Sequence, residues 1–457
     1  MALFEANGLT GSLFADSEIA ETLSDRRWLE AMLNFEADLA RAEAKVGVIP
    51  SAAAEHIAAC CDVNLYEIAE IGRRATLAGN AAIPMVAMLT AQVAQRNAAA
   101  AEFVHYGATS QDVIDSGLVC VIDGAQELIL KRIGRCCEAL ATLADTHRKT
   151  VMPGRTLLQH ALPISFGLKC AQWLDALLQS HEVLTQRSAP SLQFGGAVGN
   201  LSALGDKGTR VIEALRESGL AHRRVPWHTN RSQLQLVASH LGILTSTLGK
   251  IARDISLLMQ TEVAEVFEPS LPGKGGSSTL PHKRNPVQSV AIIAIAMRTP
   301  ALVATMLSAG MQEHERGVGG WHAEWDTLRA LLQLTGAAAL HMQTLLDGIE
   351  VDAVRMRANL ELSNGLMMAE RVTFALAPSM GRSKAKAFME TACKQAMLDK
   401  QHLKGHLLTK PEVAALDLDA LFDPSTYLGA SDNFIDSLIA RFKPQQQASN
   451  QTRKDAS

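Results

Sequence analysis

The chain has 457 residues, of which 47% are hydrophobic, 20% charged and only 4% aromatic. Abundant Ala and Leu favour helix over sheet, and the length allows two or three domains. A formal net charge of -4 excludes a general nucleic-acid binder as the leading reading. The seven cysteines, with Cys60-Cys61 and Cys136-Cys137 adjacent and no C-x-x-C spacing, match neither a zinc site nor a disulfide framework. They read as reduced thiols, so a cytoplasmic location is expected. The first residues have no basic segment before an apolar run, and no stretch approaches about 18 uninterrupted apolar residues, so neither a signal peptide nor a membrane span is expected.

In chain order, Ser24 opens an amphipathic helix running to Ala44, and Pro50-Ser51 starts another. Gly79 to Pro84 interrupts the helical pattern, and Asn80 there reads either as a helix-end residue or as a site residue. His105-Tyr106-Gly107-Ala108-Thr109-Ser110-Gln111-Asp112 precedes a long apolar-periodic run to Lys149. Thr109, Ser110 and Asp112 before that run read as a helix N-cap, and a helix N-terminus carrying two hydroxyls is also a ready carboxylate site. Gly154-Arg155-Thr156-Leu157-Leu158-Gln159-His160 is the next dense patch, and His160 reads as a structural histidine or a chemical group. A turn-rich segment, Gln193 to Asn200, follows. Arg231 is a candidate carboxylate clamp or an ordinary surface arginine. Leu241, Leu244, Leu248, Ile251, Ile255 and Leu258 alternate by three and four, as in a bundle seam that other subunits could cover. With 112–149, 287–307, where Pro300 should impose a kink, and 326–346, this helix predicts a long central bundle.

Gly275-Gly276-Ser277-Ser278-Thr279-Leu280-Pro281-His282-Lys283-Arg284-Asn285-Pro286 is poor material for a helix or strand interior. Its glycines permit unusual backbone angles, its serines and Asn285 offer neutral polar groups, and Lys283 adds a compact positive charge. From its residues alone it reads either as a flexible basic linker or as a mobile loop that closes over an anion. Glu313-His314-Glu315-Arg316-Gly317-Val318-Gly319-Gly320-Trp321-His322-Ala323-Glu324-Trp325 is the last patch with chemistry in it. The Gln-rich residues 443–457 are expected to be disordered.

The 275–286 loop resembles the fumarase/aspartase superfamily pattern Gly-Ser-Ser-x-Met-Pro-x-Lys-x-Asn-Pro, with Leu280 in place of the Met. The 105–110 patch is similar to the family's first block, 154–159 to its Gly-Arg-Thr-His-x-Gln block, and 195–199 to its Gly-Ala-Val-Gly segment. The 313–325 patch resembles the matching block of one branch, the bacterial 3-carboxy-cis,cis-muconate cycloisomerases. The resemblance covers roughly residues 20–440. It implies an all-α, three-domain fold: an N-terminal helical domain at 1–110, a central bundle at 111–352 and a C-terminal helical domain at 353–442. It implies Ser277 as the proton-transfer group and Lys283 as a catalytic cation. His105, Thr109, Ser110, Gln159, Asn285, Arg316 and Arg231 form the expected substrate-binding set. It further implies a small polycarboxylate substrate, no metal or organic cofactor, no nucleic-acid or membrane partner, and a homotetramer with shared active sites.

Leu157 stands where that family's second block has a general acid/base His. Val290 stands where many relatives have the Glu that orients it. A His and its carboxylate form one unit, so losing both implies that the unit's job is absent. A lyase or hydratase must protonate a leaving group or activate water. A cycloisomerase need not, because its nucleophile is a carboxylate of the substrate, ionised at neutral pH. The expectation is therefore lactonisation of 3-carboxymuconate. An adenylosuccinate- or argininosuccinate-type lyase and a non-catalytic structural member are the alternatives.

Overall fold

Ser24 accepts a hydrogen bond from the Arg27 N–H and so starts helix α1 (Asp25–Val46), which ends at Gly47 with φ 75°. That left-handed turn is the conformation a glycine adopts without a Cβ penalty. Helix α2 (Ser51–Ala58) follows Pro50 as the sequence predicts, and α3 is Ala82–Arg96. Asn80 Oδ1 accepts from the N–H groups of Ala82 and Ile83, so this residue caps α3. The computed structural model describes residues 8–186, 191–217, 225–270, 280 and 282–442.

Five long helices dominate the described residues: α4 (Ser110–Thr146), α5 (Phe166–Gln186), α6 (Ser232–Leu258), α7 (Val287–Ala309) and α8 (Gly320–Asp347). Helices α9 (Ala353–Leu360), α10 (Ala369–Met380) and α11 (Arg382–Leu398) follow. The fold is all-α. Among the described residues the strands form two small antiparallel pairs, β1 (Val151–Thr156) with β2 (Gln159–Ser165), and β3 (Val266–Phe267) with β4 (Glu350–Val351). Pro300 lies inside α7 without ending it. The carbonyl of Ala296, which Pro300 cannot serve, lies 3.5 Å from the Thr299 hydroxyl.

The chain divides into two units, residues 1–132, 180–249 and 291–341 in one, and 133–179, 250–290 and 342–457 in the other. Each boundary within 110–347 falls inside a long helix. The first unit has a core of Leu33, Phe35, Leu39, Ile57, Met85 and Leu89, joined by Leu201, Val211 and Leu215. The second has a C-terminal core built around Val372, Leu376, Met389, Leu403 and Leu407.

The stripe from Leu241 to Leu258 is buried within the chain itself, each of its six residues being at most 4% exposed. The expectation that other subunits cover it is corrected: the chain by itself already buries these six residues. What remains outside is a different set, Leu236, Ile243, Met297 and Leu307, all exposed.

Candidate active site

In the first unit the site begins at the start of α4. Thr109 precedes the helix and Ser110 is its first residue; both are half-buried. Among the described residues neither hydroxyl has a hydrogen-bond partner, while the Thr109 N–H is held by Asp112 Oδ2 at 3.0 Å. Asp112 is the hub. Its carboxylate also accepts from the N–H groups of Gly195 (3.0 Å) and Gly196 (2.9 Å) and meets His228 Nε2 at 2.7 Å. A carboxylate that gathers three backbone N–H groups fixes both segments that supply them. Gly195 is required there: a Cβ on it would lie 2.7 Å from the His228 ring.

Arg316 reaches the same place from a third direction. One guanidinium nitrogen donates to Gln111 Oε1 at 2.6 Å and another to the Ala197 carbonyl at 2.7 Å. Residues 109–112, 195–197 and 316, far apart in sequence, therefore meet within one unit. Three of the expected binding residues, Thr109, Ser110 and Arg316, belong to this constellation.

Arg231 does not serve as expected. Its side chain has no exposed surface, is paired with Asp115 at 2.7 Å and Glu324 at 2.5 Å, and stacks over Trp227. It is neither a substrate clamp nor a surface arginine. Two buried carboxylates need a cation, and Arg231 supplies it. Asp115 also accepts from Trp321 Nε1 at 2.9 Å and Gln111 Nε2 at 3.1 Å.

His105 has a positive φ of 57° and places Nδ1 2.6 Å from Glu36 Oε1. Burial opposes its charged form, but the Glu36 carboxylate, by charge and hydrogen bond, and Asp112 outweigh that and raise its pKa. The imidazole nitrogen facing Glu36 is thus committed inside the protein.

In the second unit, β1 and β2 form a hairpin with Thr156 paired to Gln159, leaving Leu157 and Leu158 as a two-residue turn. Both have positive φ, 51° and 64°, and they are 96% and 72% exposed. Such turns favour Asn and Gly, so paired leucines here are strained. Arg155 braces the hairpin through Glu265, at 2.9 and 2.6 Å, and Asn359 holds the same carboxylate at 2.7 Å. Gln159 and His160 line a cavity of about 570 Å³ with Leu366, Met367 and Glu370. Burial and the nearby Arg155 hold the His160 pKa below its usual value, against the pull of Glu265.

Ser277, the catalytic expectation, lies outside the described residues, as does the rest of 271–279. Of the same loop, Lys283 is exposed and Asn285 half-buried just before α7. Arg284 anchors this stretch, with two 2.8 Å bonds to Glu350 and one of 2.6 Å to the Glu268 carbonyl. Glu268 in turn accepts from the N–H groups of Gln288 and Ser289 and from the Ser289 hydroxyl, satisfying the start of α7.

Two family models match the chain. The lyase model spans residues 14–300, and the adenylosuccinate lyase C-terminus model spans 365–438. The chain belongs to the fumarase/aspartase lyase family. It is 46% identical to 3-carboxy-cis,cis-muconate cycloisomerase of Bradyrhizobium diazoefficiens, over 94% of this chain and 97% of the relative. It is equally 46% identical to the protein of that name from Pseudomonas aeruginosa, over 95% and 96%. Its fold is similar to the crystal structure of 3-carboxy-cis,cis-muconate lactonizing enzyme from Pseudomonas putida, with TM-score 0.91, 42% identity and coverage of 96% and 99%.

Sequence reasoning passed over Gln111, Asp115 and Glu324, which brace the candidate residues of the first unit, and Glu265 and Glu268, which brace those of the second, and it took Asp112 for a helix cap alone. A signal was present. Gln111, Asp112, Asp115 and Ser116 put polar groups at helical spacing on the side of α4 that is buried, and buried polar groups demand partners.

Proposed function

We propose that this protein is a cytoplasmic 3-carboxy-cis,cis-muconate cycloisomerase, converting 3-carboxymuconate to 4-carboxymuconolactone in protocatechuate breakdown. The observation that carries the reading is the 46% identity to cycloisomerases over nearly the whole chain. The local chemistry supports it. Leu157, at the position of the acid/base His, is a hydrocarbon at an exposed turn, and Val290, at the position of its orienting Glu, is also exposed. A reaction whose nucleophile is already an anion needs neither group.

In the proposed mechanism Thr109, Ser110, Lys283, Asn285 and Arg316 hold the substrate carboxylates, and His105 and Gln159 are further binding residues. One carboxylate oxygen bonds to an alkene carbon. The displaced electron pair moves to the adjacent carbon and its carboxylate, where Lys283 and loop N–H groups stabilise the charge. Ser277 gives its proton to that carbon and regains one from solvent. The site is completed by neighbouring copies in a homotetramer. Helix α7 supports such assembly: it is strongly apolar, yet its Val290, Met297 and Leu307 are exposed in the single chain.

The test is an ultraviolet assay with 3-carboxymuconate, repeated in heavy-oxygen water containing deuterium. One deuterium should enter the product, and no heavy oxygen should enter the new ring beyond that of unreacted substrate held alongside. Solvent oxygen on the ring carbon would mean a hydratase. Cleavage into two molecules would mean a lyase of the adenylosuccinate or argininosuccinate kind, for which Asn80, occupied as a helix cap, offers no acid.

A further inference from the structure

Gln111 is completely buried, and its amide makes three hydrogen bonds. Nε2 donates to Asp115 Oδ2 at 3.1 Å and to the His228 carbonyl at 2.8 Å, while Oε1 accepts from Arg316 at 2.6 Å. The two partners of Nε2 are a carboxylate and a carbonyl, which can only accept. Turning the amide over would press its oxygen against both of them and aim an N–H at the Arg316 guanidinium. The amide therefore has one permitted orientation, with its oxygen toward Arg316.

That orientation is held from behind. Asp115 is fixed by two bonds from Arg231 (2.7 and 3.0 Å) and one from Trp321, and Arg231 is fixed by Glu324. The line Glu324, Arg231, Asp115, Gln111 ends on Arg316. Only Arg316 in this line is less than fully buried. Its bonds to Gln111 and the Ala197 carbonyl use two of the five guanidinium N–H groups and both go to neutral oxygens, so it is aimed without being tied into a direct ion pair. A carboxylate in the place of Gln111 would have neutralised it; an amide positions the cation and leaves its charge for a ligand.

We propose that Gln111 is a positioning residue that orients Arg316 toward a substrate carboxylate, and that the buried Arg231–Asp115 pair sets Gln111. The inference rests on the cycloisomerase reading of the site. Because Gln111 acts through Arg316, its removal costs nothing once Arg316 is gone.

The test is a double-mutant cycle on the full-length enzyme with 3-carboxymuconate, using Gln111→Met, Arg316→Met and the double variant. Gln111→Met keeps the side-chain length and removes the acceptor together with the two N–H bonds to Asp115 and the His228 carbonyl. It is expected to lower kcat/KM about tenfold or more, the scale of one hydrogen bond to a charged group, chiefly through KM. The double variant is expected to match Arg316→Met within about twofold, the usual limit of additivity errors. Losses that multiply in the double variant, or a KM unchanged in Gln111→Met, would overturn the proposal. If Gln111→Met does not fold, Gln111→Asn withdraws the same oxygen by one methylene while keeping the amide, and the cycle is read in the same way. Wild-type protein inactive on 3-carboxymuconate overturns the cycloisomerase reading itself, and the proposal with it. An active wild type with additive losses overturns the role of Gln111 alone.

Discussion

Ser277 and Arg231 differ in what their loss should do. Ser277→Ala removes the proposed proton donor and is expected to lower turnover about a hundredfold or more, with the folded state unaffected. Near-wild-type turnover in that variant would take Ser277 out of the mechanism. Lys283→Met is expected to cost at least as much, because the exposed ammonium is assigned to charge that develops only during reaction. A rise in KM with unchanged kcat would make Lys283 a binder and nothing more. Arg231→Met should instead destabilise the fold by about 3–5 kcal/mol, because it leaves Asp115 and Glu324 buried without their cation. Urea unfolding measures it; an unchanged midpoint, with only KM raised, would return Arg231 to the role of substrate clamp.

Helix α1 carries an unusual inner face. Leu29, Met32, Leu33, Leu39 and Ala40 are buried there, and so are Glu36 and Glu43, seven residues apart. Glu36 is used by His105. Among the described residues Glu43 has no hydrogen-bond partner on either oxygen, and burial, with the Glu36 charge adding, pushes its pKa up to about 9 from 4.5. Folded protein thus keeps this proton where the unfolded chain has released it. Between those two values the folded state binds more protons, so stability falls as pH rises, by about 1.4 kcal/mol per unit from this group. Glu43→Gln cannot ionise. Its stability relative to wild type should improve from pH 5 to pH 8, read from urea midpoints at both. A difference that is the same at the two pH values would mean that Glu43 is already charged in the folded protein.

At the scale of the molecule, apolar surface on the long helices is left without cover inside one chain. Leu236 and Ile243 on α6, and Val290, Met297 and Leu307 on α7, are all exposed, Met297 to 75%. Covering such surface stabilises by about 25 cal/mol per Å² removed from water. Light scattering at assay concentration is expected to give the mass of a homotetramer. An active monomer would remove both the assembly and the idea that copies complete one another's sites.

The sequence by itself determined the helical fold. Periodicity placed four of the five long helices, α5 (Phe166–Gln186) being the one left unread, and Ser24 marked the start of α1. It also determined the family, because the ordered residues of the 275–286 loop and the 105–112 and 313–325 patches are chemically unusual enough to be recognised along one dimension. It singled out Arg316 and the Thr109–Ser110 pair as candidates for the same reason. What each side chain does was decided by the tertiary structure. Arg231 lies in a patch with the composition of a binding site, yet its partners, Asp115 and Glu324, are 116 and 93 residues away. Asp112 looks like a cap from its neighbours and becomes a hub only because Gly195, Gly196 and His228 fold back upon it. The Leu241–Leu258 stripe announces that it will be buried but not by which helix. Period and propensity are local properties, whereas the pairing of a buried charge depends on which distant segment arrives beside it, and only the folded chain fixes that.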